Sequence, residues 1–194
     1  MSAPEFTRVT PSAEGGRRSV PAAAQPAPAP VRRSYTTAVF VVCDGRVLLL
    51  NHRRYGKWLP PGGHLQPHEL PDEAAVREVY EETGLAVELV GERGLPVMSP
   101  RQLVLPRGLQ VRPAGPGLEH VDIVYFARPR AWTGPGCPPV QLGPEADRAV
   151  WAGPGELDSL GVTEEIRLWA QKALRELDGP ERGPARSSWP AAGE

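Results

Sequence analysis

The chain has 194 residues, enough for one domain with a substantial core and additional terminal segments. Its 22 basic and 23 acidic residues nearly balance, which argues against the positive field of a nucleic-acid-binding protein. Two cysteines are too few for a disulfide scaffold or a cysteine-based zinc site, and no apolar run reaches the roughly 18–20 residues of a transmembrane helix. We therefore expect a soluble cytoplasmic protein that makes no stable complex with nucleic acid and does not enter a membrane.

Both ends of the chain lack a periodic apolar pattern. Residues 1–34 contain six Pro and seven Ala, and nine of the sixteen residues in 179–194 are Pro, Gly or Ala. Such segments bury too little apolar surface to offset the entropy of ordering the chain. The sequence therefore predicts disordered tails at 1–34 and 179–194 around a single folded domain at 35–178.

Within that domain, short β-branched and apolar runs predict strands. The first two runs flank Asp44-Gly45, a strong signal for a β-hairpin. The predicted strands are Tyr35–Val42, Arg46–Asn51, Ala86–Arg93, His120–Arg128 and Ala149–Trp151. Residues 94–118 contain five Pro, three Arg and no acidic residue before Glu119, which predicts a long electropositive loop or an insertion without substrate contact.

Two segments have helical signals. Pro71–Thr83 begins with Pro, has acidic residues in its first turn and is followed by Gly84. Thr163–Leu177 begins with an N-cap candidate and carries an apolar stripe. Strands mixed with two helices predict an α/β (α+β) fold, in which a mixed β-sheet lies between helices.

The first predicted helix carries a cluster of acidic residues. Glu78, Glu81 and Glu82 stand at i, i+3 and i+4, so their carboxylates share one helix face. Taken alone, such a cluster is often only a solvated face. It is also the oxygen-rich donor set that a hard divalent cation prefers, and Gly62-Gly63 just upstream would let a loop backbone approach a ligand closely.

The segment from Gly63 to Leu85, GHLQPHELPDEAAVREVYEETGL, resembles the Nudix box. Its nine constrained positions hold Gly63, Glu69, Arg77, Glu78, Val79, Glu81, Glu82, Gly84 and Leu85. The resemblance implies a Nudix fold, with a mixed sheet between helices. It also implies Mg²⁺- or Mn²⁺-dependent hydrolysis of a nucleoside diphosphate linked to another group.

The resemblance also implies roles for individual residues. Glu78, Glu81 and Glu82 would hold the metal ions, aided by the Gly63 carbonyl, and one of these glutamates or a later one would activate water. Arg77 would orient the carboxylates and Glu69 would brace the loop. Glu145, in the loop before Trp151, is a candidate for an additional ligand or base.

Four further residues are candidates for contacting a small-molecule nucleotide diphosphate. Arg53 and Arg54 could grip phosphate, although a plain surface pair fits equally well. His120 and Asp122 alternate on a predicted strand and so share a face, which could line the substrate cleft or be a polar strand end.

The resemblance leaves the substrate open. The stretch Lys57–His64 resembles the entry to nucleotide-triphosphate-cleansing members and favours a nucleoside triphosphate or related nucleotide. ADP-ribose or a nucleotide sugar is an alternative, as is a non-catalytic module that senses a nucleotide. A homodimer is compatible with all of these.

Overall fold

The computed structural model describes residues 30–97 and 99–178. Most of the predicted N-terminal tail and the whole of 179–194 lie outside the described residues. The strand predicted at Tyr35 begins earlier, at Arg32, because Arg32 and Arg33 pair with the start of a second long strand through backbone and ion-pair contacts. Polar residues at a strand end give no apolar signal, so the prediction placed the start of this strand too late.

In the part of the chain that the structure describes, seven strands form the sheet, and β1 is its central strand. The strands are β1 (Arg32–Cys43), β2 (Arg46–His52), β3 (Lys57–Leu59), β4 (Val87–Leu89), β5 (Gly108–Gly115), β6 (Leu118–Pro129) and β7 (Ala146–Ala152). β1 pairs in parallel with β6 and, at its end, antiparallel with β2. β3 and β7 pair with β2, whereas β4 and β5 pair with β6, all of them antiparallel.

The hairpin between β1 and β2 has the predicted turn. Asp44 and Gly45 have φ values of 47° and 68°. A two-residue turn of this kind requires positive φ at both central residues, which is why the Asp-Gly pair is favoured there.

One helix covers each face of the sheet. Helix α1 (Pro71–Thr83) packs Ala75 and Val79 against a core containing Val39 and Tyr125. Helix α2 (Glu164–Asp178) packs on the other face. Its Ile166 and Ala170 join a core formed with Phe40 and Phe126 from the same two strands. Because successive side chains of β1 and β6 point to opposite faces of the sheet, both strands contribute to both cores. The predicted mixed sheet between helices is confirmed.

Helix α1 has the predicted bounds. The Glu73 carboxylate accepts a hydrogen bond from the Leu70 backbone N–H at 3.2 Å, which satisfies a donor at the helix start. Gly84 follows the last turn with φ of 68°, and its N–H donates to the Tyr80 carbonyl. These local signals fix where the acidic residues of α1 stand.

The prediction of a long loop over 94–118 was wrong. Gly108–Gly115 forms β5, which pairs with β6 over most of its length. The arginines of this region are also engaged with acidic side chains: Arg101 with Glu73, Arg107 with Glu176 and Arg112 with Asp122. The segment is therefore not a free electropositive flap. Strand β4 is shorter than the predicted Ala86–Arg93, and β3 was not predicted.

No helix in the described ranges is long and apolar enough to cross a bilayer.

Candidate active site

The loop before α1 is fixed to the central strand. Residues 61–65 run alongside β1, where Val39 N–H donates to the Pro61 carbonyl and Thr37 N–H donates to the Gly63 carbonyl, both at 2.8 Å. Gly62 has φ of 152°, and a Cβ at this position would lie 2.1 Å from the Thr37 carbonyl oxygen. Only glycine allows the loop to approach β1 this closely.

Gly63 brings the same loop against α1. A Cβ at Gly63 would lie 2.6 Å from both carboxylate oxygens of Glu78, so no side chain separates this backbone from the carboxylate. The Gly63 carbonyl already accepts from Thr37, which leaves it one lone pair for a further partner.

Arg77 lies at the centre of the site. Its guanidinium donates to both oxygens of Glu69, at 2.6 and 2.8 Å, and to Glu78 and Glu81, each at 2.9 Å. It also donates to the His64 carbonyl at 3.1 Å. These hydrogen bonds, that to Glu69 above all, raise the pKa of Arg77 and lower the pKa of Glu69. Arg77 therefore ties the loop and two helical carboxylates together.

Glu82 is the most buried carboxylate of the cluster, with 8 % of its surface exposed. One of its oxygens accepts a hydrogen bond from the Gly62 N–H at 2.9 Å. Burial, together with the charges of Glu78, Glu145 and Glu81, raises the pKa of Glu82 to about 7. Burial also raises the pKa of Glu78, against the opposing effect of Arg77.

Glu145 joins the cluster from a distant part of the chain. Its loop is held at the end of α1, because Gln141 N–H donates to the Thr83 carbonyl and Gly143 N–H donates to the Glu82 carbonyl, both at 2.9 Å. The charge of Glu145 raises the pKa of both Glu78 and Glu82, so the three groups are electrostatic neighbours.

His52 is a neighbour of this site that the sequence did not indicate. Its Nε2 lies 3.4 Å from a carboxylate oxygen of Glu145. A β-bulge at Asn51/His52, where β2 meets β7, displaces the register there. Such a bulge re-aims a side chain without leaving a local sequence signal.

The donor set fits a hard divalent cation. It offers only oxygen atoms, carries several negative charges and includes a buried carboxylate whose raised pKa a cation would counteract. Across 30–97 and 99–178, however, no three His, Cys, Asp or Glu side chains already converge on one point. Hydrogen bonds explain why these carboxylates do not converge. Glu78 and Glu81 accept from Arg77, and one oxygen of Glu82 accepts from the Gly62 N–H.

Replacement of Arg77 by Ala is expected to lower the free energy of unfolding by about 2–3 kcal/mol, because it leaves Glu69 and Glu78 largely buried without their cationic partner. Chemical denaturation would measure the loss. Arg33→Ala is the matched control, since its pair with Glu119 is exposed and its removal should cost less than about 1 kcal/mol. Equal losses for the two variants would contradict a central role for Arg77.

The predicted pair His120 and Asp122 shares a face, on the opposite side of the sheet from α1. Asp122 is buried and accepts hydrogen bonds from Thr36 and Arg112.

The His120 ring lies 4.9 Å from that of His64, measured between centroids, and its Nδ1 has no hydrogen-bond partner in the described part of the chain. Burial lowers the pKa of His120. His64 directly follows Gly63, so this polar face borders the carboxylate loop.

Arg53 and Arg54 lie in the turn after β2. Arg53 donates to Asp147 at 2.7 Å, and its backbone N–H donates to the Glu145 carbonyl at 2.8 Å. The Arg54 guanidinium lies over the Tyr55 ring, 5.6 Å from its centroid. The turn thus adjoins the Glu145 loop, but the Arg53 side chain is already paired.

Comparisons with known proteins agree with this architecture. A family model described as the NUDIX domain matches residues 32–177. A NUDIX-family hydrolase from Clostridium perfringens is 30% identical with a TM-score of 0.65, over 76% of this chain and 99% of that one. A MutT protein from Methanosarcina mazei, at 20% identity and a TM-score of 0.56 over 75% and 96% of the two chains, shares the fold.

Curated relatives match over shorter stretches. Diphosphoinositol polyphosphate phosphohydrolase 3-alpha of Mus musculus is 51% identical over 47 residues, which are 24% of this chain and 29% of that protein. A MutT-like protein of Streptomyces ambofaciens is 42% identical over 66 residues, or 34% of this chain and 43% of that protein. The matches therefore span less than half of either relative.

Proposed function

Because this chain belongs to the NUDIX domain family of hydrolases, we propose that it is a metal-dependent pyrophosphohydrolase acting on a nucleoside diphosphate linked to another group. The observation that carries the proposal is the carboxylate cluster of α1, which faces the Gly62-Gly63 backbone and is joined by Glu145. A plain solvated helix face would not bury Glu82 or hold it against a backbone N–H.

Glu78, Glu81, Glu82 and the Gly63 carbonyl would hold Mg²⁺ or Mn²⁺. A bound divalent ion would neutralise the charge of the diphosphate and lower the pKa of a bound water. The protein's own part is to present these oxygens in a fixed arrangement. Arg77 orients Glu78 and Glu81, and the Gly62 N–H orients Glu82.

We assign the general base to Glu145. Its side chain is 65% exposed, compared with 15% for Glu78, so water reaches it readily. His52 beside it limits the directions in which the carboxylate can turn. Glu145 would accept the proton of the attacking water at a carboxylate oxygen.

A nucleoside triphosphate or related nucleotide is the proposed substrate, bound at the carboxylates and along the edge of their loop, where His64 meets His120. His120 would contact the part of the substrate that is not phosphate, whereas the buried Asp122 would act through Arg112, with which it is paired. Arg53 and Arg54 would approach the phosphates from the turn after β2. The resemblance of Lys57–His64 to the entry of nucleotide-triphosphate-cleansing members supports a nucleotide. The similarity to diphosphoinositol polyphosphate phosphohydrolases makes a diphosphoinositol polyphosphate the second candidate.

The substrate panel that tests this proposal contains nucleoside triphosphates, ADP-ribose, nucleotide sugars and a diphosphoinositol polyphosphate, each with Mg²⁺ and with Mn²⁺. Phosphate or pyrophosphate release should occur for one class and stop when EDTA removes the metal. If nucleotides bind without turnover of any compound, the chain is a nucleotide-sensing module and the hydrolase proposal fails.

Divalent cations should also stabilise the fold. The carboxylates near Glu82 repel one another when no cation is present, and a ligand that binds only the native state raises the melting temperature. At a concentration of about 100 times the dissociation constant, Mg²⁺ should raise the Tm by roughly 5–10 °C in a thermal melt. KCl at equal ionic strength is the control, and an equal rise with KCl would show general screening and not a site.

A further inference from the structure

The two cysteines of the chain meet at the end of the sheet opposite the loop that carries Gly63. Cys43 ends β1 and Cys137 lies in the segment between β6 and β7, 94 residues further along the chain. The Cys137 sulfur lies 2.9 Å from the Cys43 carbonyl oxygen, and the Cys43 sulfur lies 3.7 Å from the Gly136 carbonyl oxygen. The two cysteines are therefore neighbours in space, and both thiols are free.

Small molecules can reach this pair. Both cysteines are partly exposed. A cavity of about 190 Å³ has Cys43 in its wall, together with Arg128 and Trp132. A larger open cleft of about 510 Å³ lies beside it, lined by Asp44 and by Gly136, the neighbour of Cys137. A peroxide therefore has a path to the Cys43 sulfur without unfolding of the domain.

We propose that Cys43 and Cys137 form a reversible disulfide when the protein meets a peroxide. The Cys43 thiol gives up its proton and its sulfur attacks one peroxide oxygen. The O–O bond breaks and the departing oxygen takes up a proton, which gives a sulfenic acid and one molecule of water or alcohol. The Cys137 thiol then attacks the Cys43 sulfur, forms the S–S bond and releases water. Two thiols lose two hydrogen atoms in total, and the peroxide is the species reduced.

The order of the two steps follows from the environments of the two cysteines. Burial, together with the neighbouring Cys43, raises the pKa of the Cys137 thiol to about 12. Cys43 lines the smaller cavity and Cys137 is not among its lining residues, so we assign the first reaction with the peroxide to Cys43. A cellular thiol would reverse the bond, as expected for disulfides in reducing compartments.

The new bond would connect two regions that already have fixed positions. Beyond Cys137, the Trp151 indole N–H donates to the Pro138 carbonyl at 3.0 Å, and Gln141 and Gly143 are tied to the end of α1. These contacts hold Cys137 next to the β1–β2 hairpin before oxidation. The disulfide should thus stabilise the native fold by restricting the unfolded chain, and it should leave the carboxylate cluster in place.

The test compares the wild-type chain with Cys43→Ser, Cys137→Ser and the double variant, each treated with hydrogen peroxide and then with iodoacetamide under denaturing conditions. In the wild type, both thiols should resist alkylation, and peptide mapping should find Cys43 linked to Cys137 within one chain. The Tm should rise by about 5 °C or more and return after dithiothreitol. The double variant controls for oxidation of Met and Trp.

Three results would overturn the proposal. Both cysteines could remain open to alkylation after peroxide, they could gain oxygen without a cross-link, or the cross-link could join two chains. None of these readouts depends on hydrolytic activity, so their outcome tests the disulfide independently of the proposed function.

Discussion

The Glu82→Gln variant is expected to lose at least about 100-fold in kcat for the substrate that the panel identifies. The amide is the same size as the carboxylate and can still accept a hydrogen bond from the Gly62 N–H through its oxygen. What it lacks is the negative charge that a divalent cation would need. Steady-state kinetics at saturating Mg²⁺ would measure the loss.

Glu88→Gln is the matched control, because Glu88 is an exposed glutamate on β4, outside the cluster. It should retain full activity. The Glu82→Gln protein without metal should melt no lower than the wild type, since the substitution removes a buried charge whose pKa burial has already raised to about 7. Wild-type turnover by a folded Glu82→Gln protein would exclude Glu82 from the metal site.

Gly62→Ala should cause the largest loss of stability among single glycine substitutions in the site. The added Cβ would lie 2.1 Å from the Thr37 carbonyl oxygen, and the φ of 152° is strained for any residue with a side chain. The loop must then move away from β1 and give up hydrogen bonds to Thr37 and Val39. We expect the free energy of unfolding to fall by about 3 kcal/mol or more, measured by chemical denaturation.

Gly155→Ala provides the comparison. A Cβ there meets no atom within 4 Å, so the same substitution should change the stability by less than about 0.5 kcal/mol. If Gly62→Ala is as stable as Gly155→Ala, the close approach of the loop to β1 does not exist in solution.

Local signals explain why α1 and its carboxylates could be predicted from the sequence. Pro71 at the start, Gly84 at the end and the i, i+3, i+4 spacing between them depend only on neighbouring residues. The interaction of Arg77 with Glu81 is one turn long and could be anticipated in the same way. Its interactions with Glu69 and the His64 carbonyl depend on how the loop folds back, and no local pattern contains that information.

Strand β5, unlike α1, could not be predicted from local sequence signals. It contains Gly108, Gly115 and Pro113, which disfavour strands, and its apolar residues Leu109 and Val111 are exposed. β6 holds it in place through backbone hydrogen bonds. Tertiary pairing therefore overrides a weak local preference, and a sequence pattern based on burial cannot detect it.

The parallel pairing of β1 with β6 has a consequence for synthesis of the chain on the ribosome. Thr36 and its partner Asp122 are 86 residues apart. At a synthesis rate of roughly 5–20 residues per second, β6 is therefore completed several seconds after β1. Meanwhile, β2 can pair only with the last residues of β1, leaving the apolar run Val39–Val42 largely without its final neighbours. Closure of the central sheet is thus a late, long-range event, and the nascent chain must remain soluble while this apolar strand is uncovered.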